Sequence, residues 1–151
     1  MVLDPVFSSS SGGSLSTEEG IASLSKLLFP HVGLITPNFS EASRLIKQVG
    51  LRSESQEAMA AACLELGPKA VLVKGGHCSG EECVDFLATD DGERCAFSRK
   101  RIPGGSKVRG TGCRLASAIA CFQAKGLELK DSVGEACEYL AGYISGRMDC
   151  G

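Results

Sequence analysis

The turn Gly110-Thr111-Gly112-Cys113 carries the most chemical information in this sequence. A Gly-Thr-Gly turn that opens a helix brings the backbone close to a ligand and leaves several N–H groups aimed at one place. The helix dipole adds to the attraction for an anion there. Cys113 falls in the first helical turn, where the same field lowers the pKa of a thiol. The turn therefore predicts an anion site with a thiolate, although a plain Gly-rich connection with a buried cysteine fits the local pattern equally well.

The stretch that leads into this turn is strongly basic. From Arg94 to Arg114 it holds seven basic residues and no acidic residue, which suits a polyphosphate ligand. A solvated basic loop is the simpler alternative. The turn is not a Walker A loop, because GxxxxGK[ST] does not occur, and Leu115 replaces the third glycine of a dinucleotide fingerprint.

Four polar residues stand at or just beyond the ends of predicted strands. They are Asp4, Asn38, Glu41 and Lys74. Ligands of open α/β sheets bind beyond the carboxyl ends of strands, where an ammonium group such as that of Lys74 can reach a phosphate. Each residue also has a structural explanation, since Asn38 and Glu41 have the spacing of a helix capping box and Lys74 could be a solvated strand end. Their common position favours one shared site.

The elements that must position these residues alternate between strands and helices. Strands are predicted in the apolar runs 2–6, 33–36 and 70–73, and in a hairpin formed by 84–88 and 94–102; helices are predicted to begin at Ser16, Asn38, Ser53, the 110–113 turn and Ser132. This order is typical of an α/β fold, a mostly parallel sheet flanked by helices. Residues 1–151 are expected to form one domain, or part of one.

Composition narrows the class of protein. A formal net charge of −2 argues against a general nucleic-acid or membrane-surface binder. No apolar run has the length of a membrane span, and no export signal opens the chain. The eight cysteines form no CxxC pair, so we interpret them as reduced thiols of a cytoplasmic protein rather than as a metal site or disulfides.

Four segments resemble the hydroxymethylpyrimidine/phosphomethylpyrimidine kinases of thiamine biosynthesis, which have a ribokinase-like fold. They are residues 2–6, 34–42, 66–77 and 110–120, in the order and spacing of that family. Lys-Gly-Gly-His followed by Gly-Thr-Gly-Cys is the most specific part. Related pyridoxal and sugar kinases usually have Asp at the position of Cys113, so the cysteine favours the pyrimidine branch.

The resemblance implies an enzyme that moves the γ-phosphoryl group of Mg-ATP to hydroxymethylpyrimidine or its monophosphate. By this resemblance, Gly110, Thr111 and Gly112 form the anion hole and bind ATP together with Lys74 and Asn38; Cys113 is the catalytic base; Asp4 and Glu41 lie near the phosphates or the metal; and Glu41 helps to hold Mg²⁺ through water. The implied cofactors are ATP and Mg²⁺.

The chain also departs from the family pattern. About half of the family's domain, with most of the pyrimidine pocket, precedes the strand that carries Asp4, so only the C-terminal half is matched. An unpaired first strand favours association, and we expect a homo-oligomer or a partner chain that supplies the missing half. Arg109 replaces the usual His and Arg114 a small or hydroxyl residue; either arginine could add a phosphate contact or crowd the nucleotide.

Two alternatives stay open beside the pyrimidine kinase. One is a non-catalytic or split-enzyme module that binds a nucleotide or pyrimidine, which the missing pocket half favours. The other is a superfamily kinase with another substrate, such as pyridoxal, which Cys113 disfavours.

Overall fold

A five-stranded sheet organises the chain, with the strands in spatial order of their sequence. The structure is a computed structural model that describes residues 1–8, 13–76 and 80–148. The strands are β1 (Val2–Leu3), β2 (Leu34–Ile35), β3 (Ala70–Val73), β4 (Glu82–Thr89) and β5 (Arg94–Lys100). β1, β2 and β3 pair in parallel, whereas β4 pairs antiparallel with both β3 and β5.

The predicted α/β sheet flanked by helices is confirmed, but the sheet is mixed rather than mostly parallel in its pairings. The reason lies in the connections. A parallel neighbour requires a crossover of about a dozen residues or more, and residues 74–81 between β3 and β4 are too few. The four-residue turn between β4 and β5 likewise imposes the predicted antiparallel hairpin.

Five α-helices cover the sheet: α1 (Glu18–Leu27), α2 (Phe39–Lys47), α3 (Gln56–Leu64), α4 (Thr111–Ala124) and α5 (Leu129–Met148). Short 3-10 helices span Phe29–His31 and Gly105–Lys107. None of the helices in the described part of the chain is long and apolar enough to cross a membrane.

Three of the predicted helix starts are shifted. Thr17, not Ser16, caps α1, since its hydroxyl accepts from the Gly20 N–H at 3.1 Å. Ser55, not Ser53, caps α3. α5 begins at Leu129 instead of Ser132, whose buried hydroxyl donates to the Leu127 carbonyl. Ser and Thr neighbours compete for the same cap, and backbone geometry decides between them.

Apolar side chains alternate between the two faces of the sheet, as strand geometry requires. Ile35, Val71 and Val73 pack with α1, α2 and α3 on one face. Leu34, Leu72 and Leu87, with other residues of this face, pack with α4 and α5 on the other. Both faces of the strands are therefore covered, and β1, β2 and β3 present their carboxyl ends along one edge.

The structure joins none of the cysteines that it describes in a disulfide bond; they are Cys63, Cys83, Cys95, Cys113, Cys121 and Cys137. Cys78 and Cys150 lie outside the described residues.

Candidate functional site

The carboxyl ends of the three parallel strands bring together an ion pair. Asp4 follows β1, Thr36 follows β2 and Lys74 follows β3. The Lys74 Nζ lies 2.7 Å from the Asp4 Oδ1, and the two side chains are only 12% and 13% exposed. The Thr36 hydroxyl donates to the same Oδ1 at 3.1 Å. Parallel strands end at the same edge, so residues 70 positions apart in sequence become neighbours.

The N-terminus of α4 points at this ion pair. Gly110 takes the left-handed conformation, with φ of 73°, which glycine adopts without strain. The first helical hydrogen bond runs from the Arg114 N–H to the Gly110 carbonyl, so the N–H groups of Thr111, Gly112 and Cys113 have no acceptor within the helix. A Cβ atom on Gly112 would lie 3.0 Å from the Lys74 Nζ. Backbone donors and an ammonium group therefore face one point.

Cys113 is exposed at the same helix end, but its thiol is not predisposed to ionise. A hydrogen bond with the Asp4 carboxylate raises the pKa of the thiol above its ordinary value, partial burial and the Asp4 charge raise it further, and Lys74 offsets this only in part. The expectation that the helix field produces a thiolate is wrong for this arrangement. The nearby Asp4 carboxylate favours the neutral thiol, in the direction opposite to the helix field.

Asn38 and Glu41 form the predicted capping box at the start of α2. The Glu41 N–H donates to the Asn38 Oδ1 at 2.9 Å, and the Asn38 N–H donates to the Glu41 Oε2 at 2.8 Å. Burial raises the pKa of the Glu41 carboxyl, with an opposing contribution from Lys74 and a further upward one from Asp4. The capping role of Asn38 is thus confirmed. Glu41 caps the same helix, and the charges of Lys74 and Asp4 contribute to the pKa of its carboxyl group.

The turn after β3 is fixed by residues that the sequence did not reveal. The Gly75 N–H donates to the buried Asp85 Oδ1 at 2.8 Å. The Gln56 Nε2 donates to the Val73 and Val84 carbonyls at 3.0 and 2.9 Å. An aspartate in the apolar run of β4 was the available signal for this contact. His77, the last residue of the Lys-Gly-Gly-His motif, lies outside the described residues.

The two unusual arginines occupy different surroundings. Arg109 is exposed. The Arg114 guanidinium lies 3.8 Å from the centre of the Tyr143 ring and donates to the Tyr139 hydroxyl at 3.2 Å. Cation–π stacking of this kind holds Arg114 against α5, at the rim of an open cleft of about 580 Å³ that also contacts Gly110 and Cys113.

The oxygen ligands available for a metal at this site are few. Asp4 and Glu41 are carboxylates, which Mg²⁺ prefers. Among the residues described, no group of three or more His, Cys, Asp or Glu side chains could hold a metal ion. The residues present therefore fit Mg²⁺ carried mainly by phosphates and water, and do not fit a cage built by the protein.

Curated proteins with sequences similar to this chain include hydroxymethylpyrimidine/phosphomethylpyrimidine kinases. A family model described as phosphomethylpyrimidine kinase matches residues 1–151. Hydroxymethylpyrimidine/phosphomethylpyrimidine kinase of Escherichia coli (strain K12) is 36% identical over 146 residues, covering 96% of this chain and 54% of that protein. The Mycobacterium bovis enzyme of the same name is 42% identical over 135 residues, covering 88% of this chain and 48% of that protein.

Solved structures agree. Phosphomethylpyrimidine kinase from Clostridium difficile 630 superimposes with a TM-score of 0.72 at 34% identity, covering 95% of this chain and 56% of that one. An ADP complex of Bacillus subtilis pyridoxal kinase superimposes with a TM-score of 0.73 at 28% identity, covering 91% of this chain and 50% of that one. The fold is therefore ribokinase-like, and the chain spans about half the length of the curated relatives it matches. The chain belongs to the phosphomethylpyrimidine kinase family.

Proposed function

We propose that this chain is the phosphate-handling half of an ATP-dependent kinase acting on hydroxymethylpyrimidine or its monophosphate. The observation that carries the proposal is the meeting of the α4 N-terminus with the Lys74–Asp4 ion pair, where the Gly112 Cβ position lies 3.0 Å from the Lys74 Nζ. Phosphoryl transfer depends mainly on positioning and on neutralising the charge of the phosphoryl oxygens. Backbone N–H groups and an ammonium group at one point suit that requirement.

The N–H groups of Thr111, Gly112 and Cys113 would bind the phosphoryl oxygens, with Gly110 shaping the turn. Lys74 would exchange its contact with Asp4 for a contact with a phosphate, because a triphosphate offers more negative charge than one carboxylate. Asn38 would contribute by holding the strand end beside Lys74, which it pairs with across an isolated parallel bridge. Transfer of the γ-phosphoryl group to the hydroxymethyl or phosphate oxygen of the pyrimidine would produce ADP as the leaving group.

Cys113 is the proposed base that takes the proton from an attacking hydroxyl group. Its thiol must first lose its own proton, and the hydrogen bond to Asp4 disfavours this in the absence of ligand. We therefore expect the rate of transfer to rise with pH through a pKa above the ordinary range of a thiol. A pH–rate profile of the wild-type chain and of Cys113→Ala tests this role, since only the wild type should show the rise.

Mg²⁺ would be held through water by Glu41, with Asp4 nearby, and would offset the charge of the ATP phosphates. Burial raises the pKa of the Glu41 carboxyl, and a nearby cation would favour its ionised form. Calorimetric titration of ATP with and without Mg²⁺, repeated with Glu41→Gln, tests it.

The half-length match to the relatives supports a partner requirement. We propose that residues 1–151 are a partial kinase domain completed by another copy or by a chain that carries the remaining half. β1 lies at the end of the strand order in the described sheet and pairs there with β2, so its other side is the expected contact. Light scattering tests self-association, and co-purification tests the second possibility.

The second candidate function is a nucleotide-binding module without catalysis. The neutral Cys113 thiol favours it over an enzyme that is active alone. Pyridoxal as the substrate is suggested by the name of the Bacillus subtilis neighbour. Cys113 disfavours it, because the resemblance implies that pyridoxal kinases usually have Asp at this position.

One experiment separates these possibilities. Purified chain is incubated with Mg-ATP and either hydroxymethylpyrimidine, its monophosphate or pyridoxal, and ATP binding is measured by calorimetry in parallel. Transfer to a pyrimidine that disappears in Cys113→Ala supports the leading proposal. Binding without transfer supports the module, and transfer to pyridoxal alone supports the other substrate. Absence of both binding and transfer contradicts a phosphate-handling role for this chain.

A further inference from the structure

A buried acid lies behind the Lys74 turn, on the side away from Asp4. Asp85 of β4 is 1% exposed. Its Oδ1 accepts from the Gly75 N–H at 2.8 Å, and its Oδ2 accepts from the Arg99 Nη1 at 2.7 Å. The Cys137 Sγ of α5 lies 3.7 Å from the same Oδ2. Both oxygens of the Asp85 carboxylate are therefore used. Oδ2 pairs with the Arg99 guanidinium, and Oδ1 accepts from the backbone next to Lys74.

The backbone that Asp85 holds has little freedom to move. A Cβ atom on Gly75 would lie 1.9 Å from the Val84 carbonyl oxygen, so the turn packs directly on β4. The Gln56 amide lies on that same side, where its Nε2 would be 2.9 Å from the Gly75 Cβ position, and it ties the Val73 and Val84 carbonyls together. The Lys74 N–H donates to the Pro37 carbonyl at 2.9 Å. Lys74 is thus fixed by backbone contacts before and after its own Cα atom.

A buried carboxylate at position 85 has a high desolvation cost, which an apolar residue would avoid if the turn needed only packing. Burying a carboxylate requires compensation by an opposite charge and by hydrogen bonds, and Asp85 receives both. An apolar residue at this position would pack as well on the core side, but it would leave the Gly75 N–H without its acceptor. The acid therefore serves two partners, the Arg99 guanidinium and the Gly75 N–H group. A charge-assisted hydrogen bond holds that N–H group more firmly than a neutral one.

We propose that Asp85 is a positioning residue, which fixes the Gly75 amide and thereby the direction from which Lys74 reaches the phosphate site. Its effect on ATP rests on the proposed function, whereas its effect on Lys74 does not. Substitution of Asp85 should loosen the turn, widen the range of positions of the Lys74 ammonium group and weaken phosphate binding. Arg99 and Cys137 contact only the Oδ2 side and serve the carboxylate, not the turn.

The test compares Asp85→Ala and Asp85→Asn with Cys63→Ala in the isotope-labelled chain. Cys63 is a buried thiol of α3 in the opposite core, so its removal destabilises the fold without touching the turn. Readouts are the exchange rate of the Gly75 amide proton, the Lys74 side-chain signals, the unfolding temperature and calorimetric affinity for Mg-ATP. Asp85→Asn retains an oxygen acceptor for the Gly75 N–H, so its amide exchange rate and its affinity for Mg-ATP should lie between those of the wild type and Asp85→Ala. It also replaces Asp85→Ala in the comparison if that variant folds poorly.

We expect amide exchange at Gly75 to accelerate at least about tenfold in Asp85→Ala and the Lys74 signals to shift, with affinity for Mg-ATP falling by about tenfold, equivalent to about 1.4 kcal/mol. Cys63→Ala should change the unfolding temperature only. Equal exchange rates and Lys74 signals in Asp85→Ala and Cys63→Ala would overturn the positioning role. Loss of Mg-ATP binding by the wild type itself would contradict the proposed function, while the Gly75 and Lys74 signals would still decide the role of Asp85.

Discussion

Replacing Gly112 by alanine places one methyl group in the proposed phosphate site. Its Cβ atom would lie 3.0 Å from the Lys74 Nζ, 3.6 Å from the Asp4 Oδ2 and 3.9 Å from the Lys74 Cε. All three atoms belong to side chains, so the fold can adapt by a small displacement of the ion pair. The phosphate site cannot adapt as easily, because the methyl group takes the space next to the backbone donors.

Gly112→Ala should change the stability of the fold much less than it changes the affinity for phosphate. Alanine is favoured over glycine within a helix by about 0.5–1 kcal/mol, which offsets most of the disturbance of a largely buried ion pair. The net change in the free energy of unfolding should be within about 1 kcal/mol, a shift of about 2–4 °C in melting temperature for a chain of this size. Loss of one charge-assisted hydrogen bond to a phosphate costs about 1.5–3 kcal/mol, which is a decrease in affinity of about tenfold to hundredfold.

The assay is calorimetric titration of Mg-ATP together with thermal unfolding, using Gly142→Ala as the matched control. Gly142 lies in α5, and a Cβ atom there meets nothing within 4 Å. The control gains the same helix propensity without approaching the site, so its affinity should be unchanged. Wild-type affinity in Gly112→Ala, or an equal loss in both variants, would refute the assignment of phosphate binding to this helix end.

Three further predictions concern neighbouring residues. Gly75→Ala should lower the free energy of unfolding by more than about 2 kcal/mol, because its Cβ would lie 1.9 Å from a β4 carbonyl oxygen, whereas Gly76→Ala, with open space around it, should change stability little; equal denaturation midpoints would contradict the packing. Burial raises the pKa of the Glu41 carboxyl in the folded state, so its contribution to stability is fully present below the unfolded pKa and is lost as pH rises through the folded pKa. Glu41→Gln should therefore match or exceed the wild-type melting temperature near neutral pH and lose that advantage below about pH 4. A Glu41→Gln variant that is less stable than the wild type at neutral pH would refute this. Asp4→Asn removes the main cause of the raised Cys113 pKa, so iodoacetamide should alkylate Cys113 several times faster at about pH 7.5. Peptide mass spectrometry measures the rate, with the exposed Cys121 of α4 as reference. An unchanged or slower rate would show that Asp4 does not control the pKa of the thiol.

Local signals in the sequence predicted the helices and the hairpin well. The capping box of Asn38 and Glu41 depends on residues three positions apart, and the structure forms it as predicted. The turn of residues 110–113 likewise opens α4 as expected, with Gly110 in the left-handed conformation. The sequence pattern favours Ser16 and Ser53 over the observed caps Thr17 and Ser55, because several hydroxyl residues in a row offer similar local hydrogen bonds.

Long-range electrostatics was harder to predict. The strand-end rule placed Asp4 and Lys74 at one edge, but it gave no distance between them and no geometry for Cys113. The helix field favours a thiolate, yet the Asp4 carboxylate beside the thiol reverses the direction of the pKa shift. The role of the buried Asp85 is equally hidden in the sequence, because its partners Gly75 and Arg99 become neighbours only when β3, β4 and β5 are in register.

The most direct test of a phosphate site at the α4 N-terminus is a titration of the isotope-labelled chain with Mg-ATP, followed by NMR. The account predicts saturable shifts of the Thr111, Gly112 and Cys113 amide signals together with the Lys74 side-chain signals, all with one dissociation constant. All of these shifts should be absent when adenosine plus Mg²⁺ replaces Mg-ATP. Saturable shifts confined to other parts of the chain, or shifts that adenosine reproduces, would contradict it.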